Sequence, residues 1–362
     1  MDFNFSNYFR GFSKVFRGNS VLGIDIGFSS IKIAELTREG TKFSLINYAK
    51  LETKDYLDHP NRAIQTSSLK IVEKEAVYLL KEILKEMKPR AKKAIIAIPS
   101  FVTYIVSLEM PLLSREETAK SIKFQAKQLM PIAVSELSID WIKIENDEQS
   151  KTQKIMLIAV PKEIINKYKN IFRQLPANLI EMEYESFAAT RALMTNDDPE
   201  TMIVDIGAES TNVIFINNGK WEYNAQVDYG GVYLTQALNR GLGVSVSRAE
   251  ILKKRKGLLG TGGESELSTL LTPFLDVIIQ EVRRTRMTYE TKSGKKIKQG
   301  ILIGGGANLL GIEKYFNQNI DLPLLSPKLF NHINYPQELD FAIKSVSKDF
   351  AVAIGLAEKY FL

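Results

Sequence analysis

Hydrophobic and polar positions predict the same three-strand pattern twice in this chain. The first copy is predicted at Val21–Ile26, Ile31–Leu36 and Lys42–Leu51, and the second at Met202–Ile206, Thr211–Ile216 and Trp221–Val227. Alternation with period two is typical of half-buried strands, and the pair Asn218-Gly219 is a strong hairpin signal because both residues tolerate positive φ. Asp25 and Asp205 occupy the same place in the two copies, 180 positions apart. The pattern therefore predicts a duplicated α/β fold.

Helical periodicity follows each copy, and a different pattern lies between them. Helices are predicted at Leu69–Met87, Gly231–Leu242 and Ser247–Lys256, where apolar residues recur every three or four positions. The stretch 100–175 adds strands at Val102–Leu108, Leu137–Ile144 and Lys154–Val160, a helix capped by Ser114 with Glu117, and a helix at Lys162–Leu175. We interpret 100–175 as a small module inserted into the first half. The segment 253–298, rich in Lys, Arg, Gly and Thr, is interpreted as a second insertion with exposed loops.

These patterns divide the 362 residues into four parts. An N-terminal tail occupies 1–20. A first domain at 21–185 carries the inserted module at about 100–175. A second domain at 186–345 has an upper subdomain at about 233–299, and a C-terminal helix at 346–362 returns to the first domain.

The tail has its own pattern of aromatic and basic residues. Four of its five phenylalanines recur at three- to four-residue spacing, with cations between them: Phe5, Phe9, Phe12 and Phe16 with Arg10, Lys14 and Arg17. On a helix this spacing gives an aromatic face beside a basic one, as in helices that lie on a membrane surface. Docking of the aromatics on the protein's own domain or on a partner is an equally good interpretation, and both stay open.

Composition excludes several chemistries. Because the chain has no cysteine, thiolate metal sites, iron–sulfur clusters, disulfide scaffolds and cysteine nucleophiles are excluded. Apolar runs such as Ile155–Val160 are far shorter than the roughly 20 residues that span a bilayer, and no secretory signal is present, so we expect a soluble cytoplasmic protein. The net charge of +6 is a mild excess. The basic residues of 253–298 lack interleaved aromatics or a nucleic-acid motif, which favours a solvated rim over nucleic-acid binding.

Two motifs carry the candidate phosphate chemistry. The first is Asp25-Ile-Gly27-Phe-Ser29-Ser30-Ile-Lys32, and the second is Asp205-Ile-Gly207-Ala-Glu-Ser-Thr211. In each, glycine lets the backbone approach a ligand, and hydroxyls with freed N–H groups can hold phosphate oxygens. Lys32 adds a point charge that the second copy lacks. Asp25 and Asp205 are the candidate magnesium ligands.

A third glycine cluster, Gly304-Gly305-Gly306, follows a predicted strand at Gly300–Ile303. Without side chains at these positions, a base or a ribose can lie against the backbone. Two phosphate loops facing each other and a glycine wall together predict a nucleotide site between the two halves.

This order of motifs resembles the superfamily of actin, sugar kinases and heat-shock chaperone ATPases. Within it, the chain resembles the PilM family of type IV pilus assembly proteins, relatives of FtsA. The closer resemblance is carried by Val21–Leu36, Ile122–Pro131, Ile158–Glu163, Glu185–Ala192, Gly230-Gly231 and Ala249–Lys253. It covers about residues 20–362. It implies a duplicated ribonuclease-H-like (actin-like ATPase) two-domain α/β fold, with an FtsA/PilM-type subdomain inserted at about 100–175.

The resemblance implies ATP and Mg2+ as ligands. The implied ligand contacts come from Asp25, Gly27, Ser29, Ser30 and Lys32 in the first phosphate loop, Asp205, Gly207 and Thr211 in the second, Gly304, Gly305 and Gly306 at the adenosine, and Glu250 and Lys253 near the ribose and base. Glu281 and Arg284 are an alternative for the ribose and base, but we favour Glu250 and Lys253.

Glu185 falls where hydrolytic relatives place a residue that orients the attacking water. The alternative, a glutamate at a helix start that accepts from free N–H groups, stays open. Phe187 stands where several relatives have proline or a small residue, and we expect it to crowd the water site. Nucleotide binding with slow hydrolysis at most is therefore the expectation.

The resemblance also implies a partner, the short cytoplasmic N-terminal tail of the single-span inner-membrane protein PilN. That tail is expected in the groove between the module and the first domain, with contacts on helix 116–130 and strand 137–144. The protein would link PilN to pilus motor components at the inner face of the cytoplasmic membrane, through this partner or by peripheral membrane association.

Two alternatives stay open. An FtsA-like filament former that tethers division machinery to the membrane is disfavoured, because Ala351–Leu362 is expected to be the last helix of the core rather than an anchor. A small-molecule kinase of the same superfamily is disfavoured because the module offers amphipathic elements suited to a peptide.

Overall fold

The structure, a computed structural model, describes residues 19–52, 73–259 and 265–362. The strands in chain order are β1 Ser20–Ile26, β2 Ser30–Glu39, β3 Lys42–Glu52, β4 Lys93–Ile98, β5 Tyr104–Pro111, β6 Leu137–Asp147, β7 Thr152–Pro161, β8 Asn178–Tyr184, β9 Thr201–Ile206, β10 Thr211–Asn217, β11 Lys220–Val227, β12 Gln299–Ile303, β13 Leu324–Leu325 and β14 Ile333–Asn334. The α-helices are α1 Glu73–Met87, α2 Arg115–Leu129, α3 Lys162–Phe172, α4 Glu185–Leu193, α5 Gly231–Leu242, α6 Val246–Lys256, α7 Ser265–Ser293, α8 Ile312–Ile320, α9 Asp340–Val346 and α10 Ala351–Lys359. The tail at 1–18 and the predicted helical residues 69–72 lie outside the described residues.

The duplication predicted from the sequence is present in the two large sheets. β1, β2 and β3 form an antiparallel meander within a six-stranded sheet of order β14-β3-β2-β1-β4-β8. β9, β10 and β11 form the same meander within a five-stranded sheet of order β11-β10-β9-β12-β13. The register is equivalent as well, since Asp25 lies opposite Lys32 and Asp205 lies opposite Asn212. The duplicated α/β fold is therefore confirmed.

Local turn chemistry explains why the hairpins close where they do. Asn218 and Gly219 have φ values of 48° and 70°, the left-handed conformation that the two-residue turn between β10 and β11 requires. In the first copy, Gly40 has a φ of 60° at the corresponding turn between β2 and β3. The turn at Asn218-Gly219 was predicted from its sequence.

Two helices fill the space between the large sheets. α4 and α10 pack closely on each other, and a Cβ added at Gly355 would lie 2.5 Å from the carbonyl carbon of Ala188, so only glycine fits there. Their buried residues share one core with Ile95 of the first sheet and Ile203 of the second. The two halves are therefore joined by packed helices at the bottom of the cleft that separates the sheets.

The inserted module is a separate three-stranded antiparallel sheet of order β5-β7-β6, covered on one face by α2. α2 begins with the predicted capping box, in which Ser114 accepts from the Glu117 N–H and Glu117 accepts from the Ser114 N–H. The first strand begins at Tyr104 rather than Val102, because residues 100–102 form a 3-10 turn.

One part of the sequence interpretation is wrong. The segment 253–298 is not an insertion of exposed loops, because 29 of its residues form the long helix α7. Leu271, Leu275 and Ile278 are buried against the second sheet, and Pro273 lies inside the helix without ending it. The sequence analysis also missed the strand β8. The division into domains stays a prediction.

Candidate functional site

The first phosphate loop is the turn between β1 and β2. The Gly27 N–H donates to the Ser30 carbonyl over 3.0 Å, which turns the chain within three residues. Lys32 Nζ lies 2.9 Å from Asp25 Oδ2, and each side chain is only 12% exposed. Burial alone would lower the pKa of Lys32, but the carboxylates of Asp25 and, further away, Asp349 raise it. Lys32 is therefore held protonated in this loop, beside the carboxylate of Asp25.

The second phosphate loop repeats the backbone with different side chains. The Gly207 N–H donates to the Ser210 carbonyl over 2.9 Å. Asn212 stands where the first copy has Lys32, and its Nδ2 donates to Glu185 Oε1 over 2.9 Å. Thr211 is fully buried and does not line the cleft, because its hydroxyl donates to the Tyr229 carbonyl over 2.7 Å. The structure therefore gives no support to a phosphate contact by the Thr211 hydroxyl.

Glu185 lies between the two loops at the first residue of α4. Its Oε1 accepts from the Ser100 N–H over 2.8 Å as well as from Asn212. These two partners lie on segments other than α4, so the contacts seen are not the helix-start bonds of the alternative interpretation. Burial raises the pKa of the Glu185 carboxyl, and the charge of Asp25 raises it further.

Phe187 does not crowd this position. Its ring packs edge-on against Tyr184 and Trp221, with centroids 5.3 and 5.2 Å away, and it lines a second cavity on the other side of α4. The expectation that Phe187 narrows the water site is therefore wrong.

The glycine wall follows β12. Gly304 has a φ of 84°, and a Cβ added there would lie 2.6 Å from the Ile206 carbonyl oxygen and would overlap Asp205 Oδ1. By contrast, a Cβ at Gly305 would meet nothing within 4 Å. Glycine is therefore needed at 304 for the conformation and packing of the protein itself. At 305, the missing side chain leaves open space on the cleft side.

The favoured ribose pair lines the cleft. Lys253 Nζ lies 2.6 Å from Glu250 Oε2 and also donates to the carbonyl of Gly231 over 2.8 Å. The alternative pair, Glu281 and Arg284, is an ion pair of 2.5 Å on the exposed face of α7 and does not line the cleft. The geometry favours Glu250 and Lys253.

Sequence reasoning missed a contact at the cleft floor. Asp349 Oδ2 accepts from Lys50 Nζ over 2.6 Å, and its Oδ1 accepts from Asn308 Nδ2 over 2.7 Å. Lys50 belongs to the first sheet and Asn308 follows the glycine wall of the second half, so Asp349 ties the halves together. These residues lie far apart in the chain and carry no motif, which is why no sequence signal pointed to them.

Together these elements enclose a cleft of about 870 Å³ between the halves. The candidate residues that line it are Asp25, Gly27, Ser29, Ser30, Lys32, Glu185, Asp205, Gly207, Glu250, Lys253, Gly304, Gly305 and Gly306. Burial, aided by the charges of Glu185 and Asp25 and opposed by that of Lys32, raises the pKa of Asp205 to about 7. Phosphate groups would meet the Lys32 charge and the two turns, so these residues fit a nucleotide.

The metal assignment is less complete. Within the described ranges, no group of three or more His, Cys, Asp or Glu side chains is placed to hold a metal ion by itself. Asp25 and Asp205 supply two carboxylates, so an ion there would need phosphate oxygens and water for its remaining ligands, as Mg2+ commonly does. Magnesium at this site stays a prediction.

A second cavity, of about 940 Å³, lies between the module and the first sheet. One wall is β8, the edge strand of the six-stranded sheet, and all its residues line the cavity. The other wall is the face of the module sheet opposite α2, through Ser138, Asp140 and Ile142. We call this cavity the groove. Of the two predicted contact elements, strand 137–144 lines the groove and helix 116–130 does not.

The described residues include no helix with the length and hydropathy needed to cross a bilayer. The family model for the type IV pilus assembly protein PilM matches residues 23–361. A solved PilM–PilN type IV pilus biogenesis complex is similar over 94% of this chain and 98% of that chain, with 20% identity and a TM-score of 0.81.

Two further proteins are similar to this chain. MreB 5 of Spiroplasma citri bound to AMPPNP matches over 95% of this chain and 96% of its own, with 15% identity and a TM-score of 0.52. The cell division protein FtsA of Neisseria meningitidis serogroup B is 24% identical over 196 residues, which are 48% of this chain and 46% of FtsA. This chain thus spans about half the length of the curated relative that it matches. The actin-like fold is thereby established.

Proposed function

This chain belongs to the PilM family of type IV pilus assembly proteins, and from that premise we propose that it is an ATP-binding scaffold that docks the cytoplasmic N-terminal tail of a PilN-type inner-membrane protein. Docking would place the scaffold at the inner face of the cytoplasmic membrane and connect the tail to pilus motor components. The groove carries this proposal, because it offers a peptide both an open strand edge and an apolar wall.

The chemistry of the groove suits an extended peptide. Among the described strands β8 pairs only with β4, so the N–H and C=O groups of its other edge can pair with an added strand. Ile180 on β8 and Ile142 on β6 are 44% and 38% exposed in the groove, so they are available to cover apolar side chains of the guest. The solved complex of PilM with PilN supports a PilN-type tail as that guest.

Nucleotide binding is supported by the cleft. Its two turns line it from opposite halves, Lys32 supplies a cation, and Gly305 leaves room for the adenosine. ATP with Mg2+ held by Asp25 and Asp205 is the ligand that we propose. When bound, Mg2+ would neutralise phosphate charge, Lys32 would hold the phosphates, and Glu185 would orient a water for hydrolysis.

A single helix connects the two sites. α4 begins at Glu185 in the cleft, while Phe187 and Arg191 on the same helix line the groove. Arg191 is held there by a bidentate ion pair with Glu183 of β8, at 2.6 and 2.7 Å. A shift of α4 on nucleotide binding would therefore move the groove wall, which couples the two ligands.

The decisive experiment is a calorimetric titration of a PilN-type tail peptide into the full chain, with and without Mg-ATP. We expect a dissociation constant in the micromolar range or lower, changed by nucleotide. Ile180→Asp should abolish binding, because it places a charge in the apolar wall. The matched control is Phe124→Asp on α2, an apolar side chain that is 65% exposed outside the groove.

Each result has a stated consequence. Peptide binding that survives Ile180→Asp but is lost in Phe124→Asp would move the docking site to α2. Binding of ATP without any peptide binding would favour the FtsA-like filament alternative, which electron microscopy with ATP would then test.

A further inference from the structure

One short turn of the chain lies beside both the cleft and the groove. The 3-10 turn Ser100–Val102 connects β4 of the first sheet to β5 of the module. The centroid of its Phe101 ring lies 4.9 Å from that of Phe28 in the first phosphate loop, and both rings line the cleft. Thr103, which follows the turn, lines the groove. The module is therefore attached to the first sheet at a point that borders both cavities.

Two hydrogen bonds from Ser100 tie this turn to the walls of both cavities. Its N–H donates to Glu185 Oε1 over 2.8 Å, and its hydroxyl donates to the Tyr184 hydroxyl over 3.0 Å. Tyr184 is the last residue of β8 and lines the groove, whereas Glu185 is the first residue of α4 and lines the cleft. Two consecutive residues thus face different cavities, and one buried serine binds both of them.

Two side-chain amides of the second sheet bind the same pair of residues. Asn212 Nδ2 donates to Glu185 Oε1 over 2.9 Å, and Asn224 Nδ2 donates to the Tyr184 hydroxyl over 2.6 Å. Asn212 and Asn224 lie on the adjacent strands β10 and β11. We call Ser100, Tyr184, Glu185, Asn212 and Asn224 the polar network. It connects the second half of the protein to the attachment point of the module and to the groove wall.

The polar network has unused hydrogen-bonding capacity. Asn212 Oδ1, Asn224 Oδ1 and the hydroxyl of Ser186, the residue after Glu185, are buried and have no hydrogen-bond partner among the described residues. A buried polar atom without a partner is unfavourable, so a displacement that gives these atoms partners is favoured. The network is therefore suited to exchange one set of hydrogen bonds for another when the two halves move.

We propose that the polar network couples closure of the cleft to the shape of the groove, and that the Tyr184 hydroxyl transmits the movement. A nucleotide between the phosphate loops would draw the second half, with Asn212 and Asn224, toward the first. Through Tyr184 and Ser100 this movement would shift the end of β8 and the start of β5, and so both walls of the groove. A shift of α4 by itself would move only the wall that contains β8. This inference rests on the function proposed above and names the residues that regulate the groove.

The test is hydrogen–deuterium exchange of the full chain with and without a non-hydrolysable ATP analogue and Mg2+. The main variant is Asn224→Leu, which removes one amide of the network at a position that lines neither cavity. Its matched control is Asn217→Leu on β10, whose Nδ2 donates to Glu222 Oε1 over 3.0 Å outside both cavities. Tyr184→Phe is a second variant that removes only the hydroxyl. Thermal unfolding of the three variants checks that each is folded.

In the wild type and in Asn217→Leu, we expect the nucleotide to slow exchange in both phosphate loops and to change it about fivefold or more in β5, β6 and β8. In Asn224→Leu and Tyr184→Phe, the change should be confined to the loops. A response that never reaches the groove strands, or that reaches them equally in these two variants, would overturn the inference and leave nucleotide binding intact. Unchanged exchange in the loops would refute nucleotide binding, and the inference with it.

The peptide titration, repeated on Asn224→Leu, separates this inference from the docking function. Mg-ATP should change the affinity of the wild type for the tail peptide about fivefold or more, and that of Asn224→Leu by less than about twofold. An equal change in the two proteins would overturn the inference. Absent peptide binding, together with nucleotide-dependent exchange in the groove strands that Asn224→Leu loses, would refute only the docking function.

Discussion

The two phosphate loops have the same backbone and different chemistry. In both, an aspartate is the penultimate residue of a strand, a glycine N–H closes the turn on a serine carbonyl, and the next strand begins. Opposite the aspartate, the first loop has Lys32 and the second has Asn212. Lys32 pairs with the aspartate of its own loop, whereas Asn212 turns to Glu185 on α4.

This difference indicates a division of labour between the duplicated loops. The first loop has an electrostatic role: its lysine pairs with Asp25 and partly offsets the negative charge around Asp205. The second loop has a positioning role, because the amide of Asn212 fixes the Glu185 carboxylate between the two loops. The two copies thus share the backbone turn, and the side chain at one matching position, Lys32 or Asn212, gives each turn a different role.

The largest effect on nucleotide affinity is expected from removing the positive charge of Lys32. Lys32→Met should lower the affinity for Mg-ATP about a hundredfold, since a charge-assisted contact is worth about 1.5–3 kcal/mol. It should also reduce the free energy of unfolding by about 3 kcal/mol, because breaking a buried ion pair leaves Asp25 unpaired. Calorimetry and denaturant unfolding measure the two effects.

Asn212→Leu is the control at the matching position, and its nucleotide affinity should stay within about threefold of the wild type. Equal losses of affinity in the two variants would contradict the division of labour.

A smaller effect is expected from the glycine wall, in which Gly304 lies against Asp205 and Ile206 beside the second loop. Gly304→Ala should destabilise the protein by about 2 kcal/mol or more, because a positive φ is unfavourable for alanine and its Cβ would displace Asp205. Gly305→Ala is the neighbouring control, with no atom within 4 Å of its Cβ. It should leave the melting temperature unchanged and weaken only nucleotide binding. A destabilised Gly305→Ala would show that the wall serves packing rather than a ligand.

Much of the fold could be predicted because the relevant physics is local. The hairpins show period-two alternation, the turn at Asn218-Gly219 requires positive φ, and the Ser114–Glu117 cap lies within one helical turn. Each of these signals is complete within a few residues, so the chain alone specifies it. The duplication then followed from comparing two such segments.

The rest depended on contacts between distant segments. β8 pairs with β4, and the alternation of apolar and acidic residues at Ile180–Tyr184 was a local strand signal that could have found it. α7 was missed because many basic residues and Pro273 obscured its buried stripe. Thr211 was assigned to phosphate from its motif, but its hydroxyl is taken by Tyr229. Lys50 and Asp349 meet only after both halves have folded.

The positioning role of the second loop predicts a kinetic effect of intermediate size. Asn212→Leu should lower phosphate release roughly tenfold at saturating ATP, because a displaced catalytic carboxylate loses one to two orders of magnitude in rate. Glu185→Gln keeps the acceptor oxygen but not the charge, and it should lower release at least as much. A malachite-green assay measures both. If neither variant changes a low basal release, Glu185 is a structural residue.

The smallest effect is expected where the first hairpin reaches across the cleft. β3 ends at Glu52, whose Oε2 lies 2.8 Å from Lys254 Nζ on α6; β11, its counterpart, ends at Val227. Burial opposes ionisation of Glu52, but Lys254 and Lys50 lower its pKa below the ordinary value. The ion pair between Glu52 and Lys254 therefore contributes fully at a pH above the ordinary pKa of a glutamate. Its contribution is lost as the pH falls through the lowered pKa of Glu52.

Both side chains of this pair are about half exposed, so its contribution is at most about 1 kcal/mol. Glu52→Gln should weaken Mg-ATP binding by no more than roughly fivefold at low salt, and the difference should shrink near 0.5 M salt, because salt screens exposed ion pairs. Glu39→Gln, at the exposed end of β2 in the same hairpin, is the control and should change nothing. A salt-independent loss in Glu52→Gln would mean that Glu52 acts by packing against the nucleotide site and that the first hairpin contributes more than charge.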